Sequence, residues 1–312
     1  MSIRTKLLKE GEIIPLVYDF SFTEVFNEAK CLPILERFIS DDLMIPLDDI
    51  RGNLEILPRR ISSRTKKETR KEVDLILNYK GEKIEIELNA FGPYKRINDR
   101  NLVYIAKILG ENYMIGNDQI KKAYQINISN YPCNKIKLIN EYYLKEIDSD
   151  EIFSDKIRID QIDVSKCLDP CYNFLDEREE KVAKWIKLFV SKTIEELAMI
   201  GEEIMDKKEL ETLKDKVEEI SSDKEMVEVF KTMEDNFNLY DDAKEAGYEV
   251  GFELGKEQGY DNGYDNGYGT GYDNGSQQEK LNIAKEMLMD GIDITTIIKY
   301  TNLSEDEINN LK

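Results

Sequence analysis

The sequence contains no histidine. That absence excludes Ser-His-Asp and Cys-His nucleophiles, histidine-ligated zinc and the imidazole general base. Any acid, base or metal chemistry must rest on carboxylates, Lys, Tyr or Cys. Cysteine is scarce, with four residues at 31, 133, 167 and 171. Cys167 and Cys171 form a C-x-x-x-C pair, but Cys31 and Cys133 stand in no paired motif. Reduced cytosolic thiols fit this pattern better than an all-cysteine zinc site. Long apolar runs are also missing, so no transmembrane helix is expected. The opening MSIRTKLLKEGEIIPL lacks an apolar core segment and a small-residue cleavage site, which points to a cytoplasmic protein.

What is present is 312 residues, 41% of them hydrophobic, enough for a real core. Domains of roughly 100–200 residues would make two or three of this length. The net charge of −20 is unevenly placed. Residues 1–150 carry 24 basic and 24 acidic side chains, so the whole excess lies beyond them. The acidic total therefore does not argue against nucleic-acid binding by the N-terminal half.

Residues 16–40 show apolar positions at helical spacing, with Phe22 and Phe26 followed by Ile34, Leu35 and Phe38. Asp19 fits an N-cap, and Pro33 fits a break or a second helix start. Residues 51–71 hold eight basic and two acidic side chains. They suit a solvated hairpin loop, or a strip that contacts phosphates through Arg59, Arg60, Arg64, Lys66, Lys67, Arg70 and Lys71. The following EVDLILNYKGEKIEIELN reads as a β-hairpin turning at Tyr-Lys-Gly-Glu. Its second strand alternates Ile84, Ile86 and Leu88 with Glu85, Glu87 and Asn89. A helix follows from about Asp99, with Leu102, Ile105, Ala106 and Leu109 on one side, and AYQINISNY forms a further strand. Helix, hairpin, helix, strand is a mixed α/β order.

Asp74 in the first strand and Glu87 in the second would face each other across the hairpin. Asp74, Glu87 and the Leu88 carbonyl would offer three oxygen ligands to a hard cation such as Mg²⁺ (or Mn²⁺), able to activate water against a phosphodiester. The alternative is bland: alternating Glu on an exposed strand, and an Asp that caps a turn.

Five stretches resemble the PD-(D/E)XK nucleases, and more narrowly the Rpn family of recombination-promoting nucleases, also described as PD-(D/E)XK transposases. DFSFTEVF from Asp19 is similar to that family's D-F-x-F-K start. Val73–Leu77 and Ile86–Asn89 resemble its catalytic-aspartate and I-E-M-Q strands. Arg100–Lys107 resembles its R-S-L-Y-Y-L-S-K helix, and Tyr124–Ile128 its next strand. The resemblance implies a restriction-endonuclease-like α/β core, a helical C-terminal half with a Gly-x-x-x repeat, and metal-dependent DNA cleavage. Asp74 and Glu87 would hold Mg²⁺, with Glu24 either a further acid of the metal shell or a solvated helix residue. Asn89 falls where the superfamily has Lys and this family usually Gln, and Thr23 falls where the family has Lys. Both departures leave room for an inactive, DNA-binding or scaffolding relative. Lys95, Arg96 and Arg100 join the basic strip as phosphate contacts.

Residues 151–246 read as a charged helical region beyond a nuclease-like domain at 1–150. From Gly247 to Gly275 a glycine recurs every fourth residue. Residues 247–258 suit a helical self-association segment. The three Asn-Gly pairs over 259–275 suit a flexible linker. From the self-association segment, the C-terminal helices are expected to form a homo-oligomer. Residues 276–312 read as three short helical pieces, with Gly291 ending the first and a Ser304–Glu307 capping box opening the last. They superficially resemble a helix-turn-helix, yet the acidic last helix favours protein contact over DNA reading.

Overall fold

The structure, a computed structural model, describes residues 8–61, 71–89, 94–114, 120–130, 137–149 and 151–311. The chain divides into two compact units, Met1–Met233 and Glu234–Lys312. In the first, helices α1 (Asp19–Phe26), α2 (Leu32–Leu43) and α3 (Leu47–Ile50) precede strands β1 (Leu54–Ile56), β2 (Arg60–Ile61) and β3 (Lys71–Glu72). The hairpin β4 (Leu75–Tyr79) and β5 (Glu82–Asn89) is followed by α4 (Tyr94–Met114), β6 (Ala123–Ser129), β7 (Ile139–Lys145) and β8 (Ile152–Asp163). Helices α5 (Val164–Leu168), α6 (Glu177–Val190), α7 (Ile194–Ile204) and α8 (Lys207–Ser222) complete it, with the start of α9 (Lys224–Met289).

The six-stranded sheet runs β1-β4-β5-β6-β8-β7, and β2 pairs with β3 in a separate ribbon. β4 and β5 are antiparallel across a two-residue turn in which Lys80 and Gly81 take φ of 51° and 88°. Two positive φ values match the right-handed twist of the flanking strands. β5 pairs parallel to β6, and β6 parallel to β8. A parallel pair needs a crossover, which α4 supplies between β5 and β6.

One sheet face carries Ile84, Ile86, Leu88, Tyr124, Ile126 and Ile128. It packs with Phe22, Phe26 and Phe38 of α1 and α2 and with Trp185 and Phe189 of α6, all buried. Pro33 stands in the first turn of α2, where its missing N–H costs nothing. The opposite face is also covered: Ile105 and Ile108 of α4 pack with Val73, Ile76 and Ala123. Glu85, Glu87 and Asn89 are therefore buried beneath α4 rather than exposed. Because that face is polar, the buried side of α4 includes Asn101 with Tyr104 and Ile105, whereas Leu102 and Ala106 of the expected apolar stripe point outward. At the far edge Arg178 Nη2 donates to Asp42 at 2.9 Å and to Asp160 at 2.8 Å. Arg158 Nη2 donates to Asp160 at 2.8 Å.

The expected boundary at 150 does not coincide with these units. β8 lies beyond it, hydrogen-bonded to β6, and α6 and α8 share the core of the sheet. In the second unit α9 continues without interruption through 259–275, where turn chemistry had suggested a flexible linker. A built Cβ at Gly247 through Gly275 would meet nothing within 4 Å. α10 (Ile294–Thr301) and α11 (Glu305–Asn309) close around Ala284, Ile297, Leu303 and Ile308. Gly291 has φ 77°, and the Ser304–Glu307 capping box opens α11, both as the sequence indicates. No described helix is long and apolar enough to cross a membrane.

Candidate active site

Asp74 stands one residue before β4, not within it. The last paired residues of the hairpin are Leu75 and Ile86, so Asp74 comes abreast of Glu87. Its Oδ2 accepts the Leu88 N–H at 2.8 Å, and its own carbonyl accepts Thr23 Oγ1 at 3.2 Å. Thr23 therefore ties α1 to the aspartate. Burial pushes the Asp74 carboxyl up to about 6 against the Leu88 N–H. The charge of Asp19 adds to the rise, while Arg100 and Arg59 oppose it.

Glu87 is 2% exposed. Burial first, then the charges of Asp74 and Glu85, hold it well above the usual carboxylate range, with Arg100 opposing. Arg100 Nη2 donates to Glu87 Oε2 at 3.2 Å and to Asn89 Oδ1 at 2.5 Å. Its guanidinium lies over the Tyr104 ring, 5.7 Å from the centroid, one helical turn along α4. Glu85, fully buried, accepts Gln125 Nε2 at 2.7 Å; burial pushes it up to about 8.

Three like-charged groups buried together disfavour ionisation of each other. A bound cation would relieve that repulsion. Glu85 Oε1, Glu87 Oε1, Asn89 Nδ2 and Ser129 Oγ are all buried without a hydrogen-bond partner. Glu85 and Glu87 also lie within hydrogen-bond reach of each other, so either a proton shared between them or a hard divalent cation in its place would satisfy these oxygens. The donor set is lean, since no group of three or more His, Cys, Asp or Glu in metal-ligating arrangement occurs among the described residues. Asp74 and Glu87 form the pair, and backbone or water oxygens would have to complete the shell.

A family model described as PD-(D/E)XK nuclease family transposase matches residues 16–245. The chain belongs to this family. A second, described as Rpn/YhgA-like nuclease family, C-terminal HTH domain, matches residues 277–312. Comparison with curated proteins and with solved structures gives no match. The α/β core and the helices through residue 245 thus lie within the PD-(D/E)XK nuclease family match, and the last helices within the C-terminal one.

The basic residues named from the sequence fare differently in this family member. Arg59 lies near Asp74, its Nε donating to the Val73 carbonyl at 3.0 Å. Arg100 lies on Glu87. Arg60 and Lys71 stand on the β2–β3 ribbon, and Lys95 and Arg96 in the first turn of α4; their side chains are outside the described set. Arg64, Lys66, Lys67 and Arg70 lie outside the described residues.

Glu24 is not brought to the site. It is 56% exposed and stands 4.0 Å from Lys216 of α8. The acid of α1 whose charge reaches Asp74 is Asp19, which is exposed and precedes Thr23 by one helical turn. Asp19 follows its N-cap Tyr18 rather than serving as one, and its Oδ1 accepts the Phe20 N–H. The family-like D-F start was the signal for Asp19, but its Asp was read only as a cap. Glu85 and Gln125 were missed for a different reason: only the α4 crossover makes their face an interior.

Proposed function

We propose that the chain is a metal-dependent DNA endonuclease that hydrolyses phosphodiester bonds with low sequence specificity, in recombination, mobile elements or phage defence. The observation that carries this reading is the orphaned Glu87 Oε1, buried abreast of Asp74 under α4. Asp74 and Glu87 would hold Mg²⁺ or Mn²⁺. When bound, that ion supplies polarisation of the phosphodiester and an activated water. The chain's own contribution is positional. Leu88 N–H fixes one oxygen of Asp74, Thr23 fixes its backbone, and α4 buries Glu87 beside it.

Arg100 provides the positive charge that the superfamily places on a lysine at the position of Asn89. Asn89 is too short and too neutral to stabilise an attacking hydroxide by charge, but it can orient the guanidinium that does so. Arg59 and the basic strip would hold backbone phosphates, which carry no sequence information. Binding should therefore weaken steeply with salt.

Plasmid nicking by the full chain with Mg²⁺, Mn²⁺, Ca²⁺ or EDTA tests the reading. Nicking that needs Mg²⁺ or Mn²⁺ and disappears in Asp74→Ala supports it; nicking that persists in Asp74→Ala contradicts it. A second reading, favoured by Asn89 and by the guanidinium already seated on Glu87, is a catalytically inactive DNA-binding or scaffolding protein that self-associates through its C-terminal half. No nicking with DNA still retarded in a gel, and no gain from Asn89→Lys or Asn89→Gln, would select it.

A further inference from the structure

The face of the sheet that carries Glu87 continues past it. In register, Glu87 pairs with Asn127 of β6, and Asn127 with Gln161 of β8. Same-row neighbours on parallel strands point to the same side, so a carboxylate and two amides form one transverse row. At about 4.8 Å per strand, Gln161 stands roughly 10 Å from Glu87. The row behind it contributes Gln125 and Ile159.

Over the outer part of these rows lies an open cleft of about 350 Å³ between α4 and β7. That volume is within the usual range of small-molecule sites, about 300–1,000 Å³. Its lining is distinctive. Amides come from Asn98, Asn101, Gln125, Asn127 and Gln161, and apolar or aromatic surface from Leu102, Ile159 and Tyr142. Leu102 is 58% and Tyr142 39% exposed, so the mouth is accessible. No Asp, Glu, Lys or Arg lines it among the described residues.

A phosphate would require a cation here, and a peptide terminus or a metal would require a charge. What a neutral cleft of amides and flat apolar surface recognises is a planar, neutral group with hydrogen-bonding edges. The amides are held in place in advance. Asn101 Nδ2 donates to Asn127 Oδ1 at 2.6 Å, and Gln125 Nε2 donates to the Asn101 carbonyl at 2.8 Å. The outermost link is weak: Tyr142 Oη donates to Gln161 Oε1 over 3.4 Å, at the long end for such a bond.

We propose that this cleft is a nucleobase seat. It takes one unpaired base of the DNA strand whose phosphate would lie at the metal that Asp74 and Glu87 hold, stacking it near Tyr142 and Leu102 and bonding its edge to Asn98 and Gln161. Amide side chains read base edges, and aromatic side chains stack bases. A base still paired in a duplex cannot enter; the preferred substrate is single-stranded or locally opened. The proposal rests on the nuclease reading of Asp74 and Glu87.

The test is binding in EDTA of two short fluorescent single strands with equal phosphates, one of thymines and one of abasic sites. The full chain is expected to bind the base-bearing strand about ten- to a hundredfold more tightly, the worth of a stacked, hydrogen-bonded base. Gln161→Leu and Tyr142→Ala should remove that difference by weakening the base-bearing strand alone. If Gln161→Leu does not fold, as Trp185 emission would reveal, Asn98→Ala at the exposed rim serves instead. Equal affinity of the wild type for both strands overturns the seat, as does a loss in the variants that falls equally on both strands, or no binding of either. The two readings separate cleanly. Base discrimination without any nicking keeps the seat and rejects hydrolysis; nicking without base discrimination does the reverse.

Discussion

Arg100 is the residue on which the site turns. It is the cation bonded both to Glu87 and to the Asn89 amide, and Tyr104 supports it from below. Removing one preorganised charge aimed at a reacting group typically costs about 10²–10³ in rate. Arg100→Ala is therefore expected to slow plasmid nicking by about that factor, and Asn89→Lys in the same chain to recover part of it. First-order nicking rates of the single and double variants decide this; equal rates in wild type and Arg100→Ala would remove Arg100 from the mechanism. A second residue-scale outcome concerns Asp42, which is fully buried. Burial, reinforced by Asp160, raises its carboxyl to about 7 against the pull of Arg178 and Arg158. A folded-state value above the unfolded one means the native state holds the extra proton. Its contribution to stability is thus fully present below about pH 4 and declines as pH rises to about 7. Urea midpoints of the wild type should fall across that window relative to Asp42→Asn, whose profile should be flatter; parallel profiles would contradict it.

At the scale of elements, the glycine repeat offers the sharpest contrast between sequence and structure. Glycine costs a helix interior about 1 kcal/mol relative to alanine, and Asn-Gly pairs favour turns, so 259–275 reads as a linker. α9 nonetheless runs through it, with open space at every repeat glycine. With nothing to clash, each Gly→Ala at 259, 263 and 267 should add about 1 kcal/mol of helix stability, seen as stronger ellipticity at 222 nm and a higher midpoint. If self-association uses close approach along this stripe, the same triple substitution should lower the sedimentation-derived oligomer mass. The hairpin was legible because period-2 alternation and Lys80-Gly81 turn chemistry agree. β8 was not: IFSDKIRIDQID reads as charged, and only its place between β6 and β7 makes it a strand. The expected apolar side of α4 was wrong for a related reason. Periodicity finds the apolar side of a helix, whereas α4 packs on a polar sheet face and turns Asn101 inward. Asp74 and Glu87 could be paired from the hairpin alone, but the row from Glu87 to Gln161 joins strands far apart in sequence, which no local pattern encodes.

For the whole molecule, each of the two units has a core of its own, and the single tryptophan lies in the first. Trp185 is fully buried among Phe38 and Phe189, and its Nε1 donates to Asp41 at 2.8 Å. Its emission therefore reports on residues 1–233 alone. Removing 234–312 should leave the Trp185 emission maximum and its denaturant midpoint unchanged, while far-UV ellipticity falls with the lost helices. A red shift on truncation would show that the first core depends on the second unit. Charge separates the units too: residues 234–312 hold 18 acidic and 6 basic side chains. The missing histidine acquires another meaning here. Most proteins have a crowded background of imidazole titration near neutrality. In this chain no imidazole titrates there, while carboxyls that burial has lifted reach that range, Asp42, Asp74 and Glu85 among them. A carboxyl-stretch difference spectrum taken across neutral pH would therefore be a nearly direct portrait of the protein's interior acids.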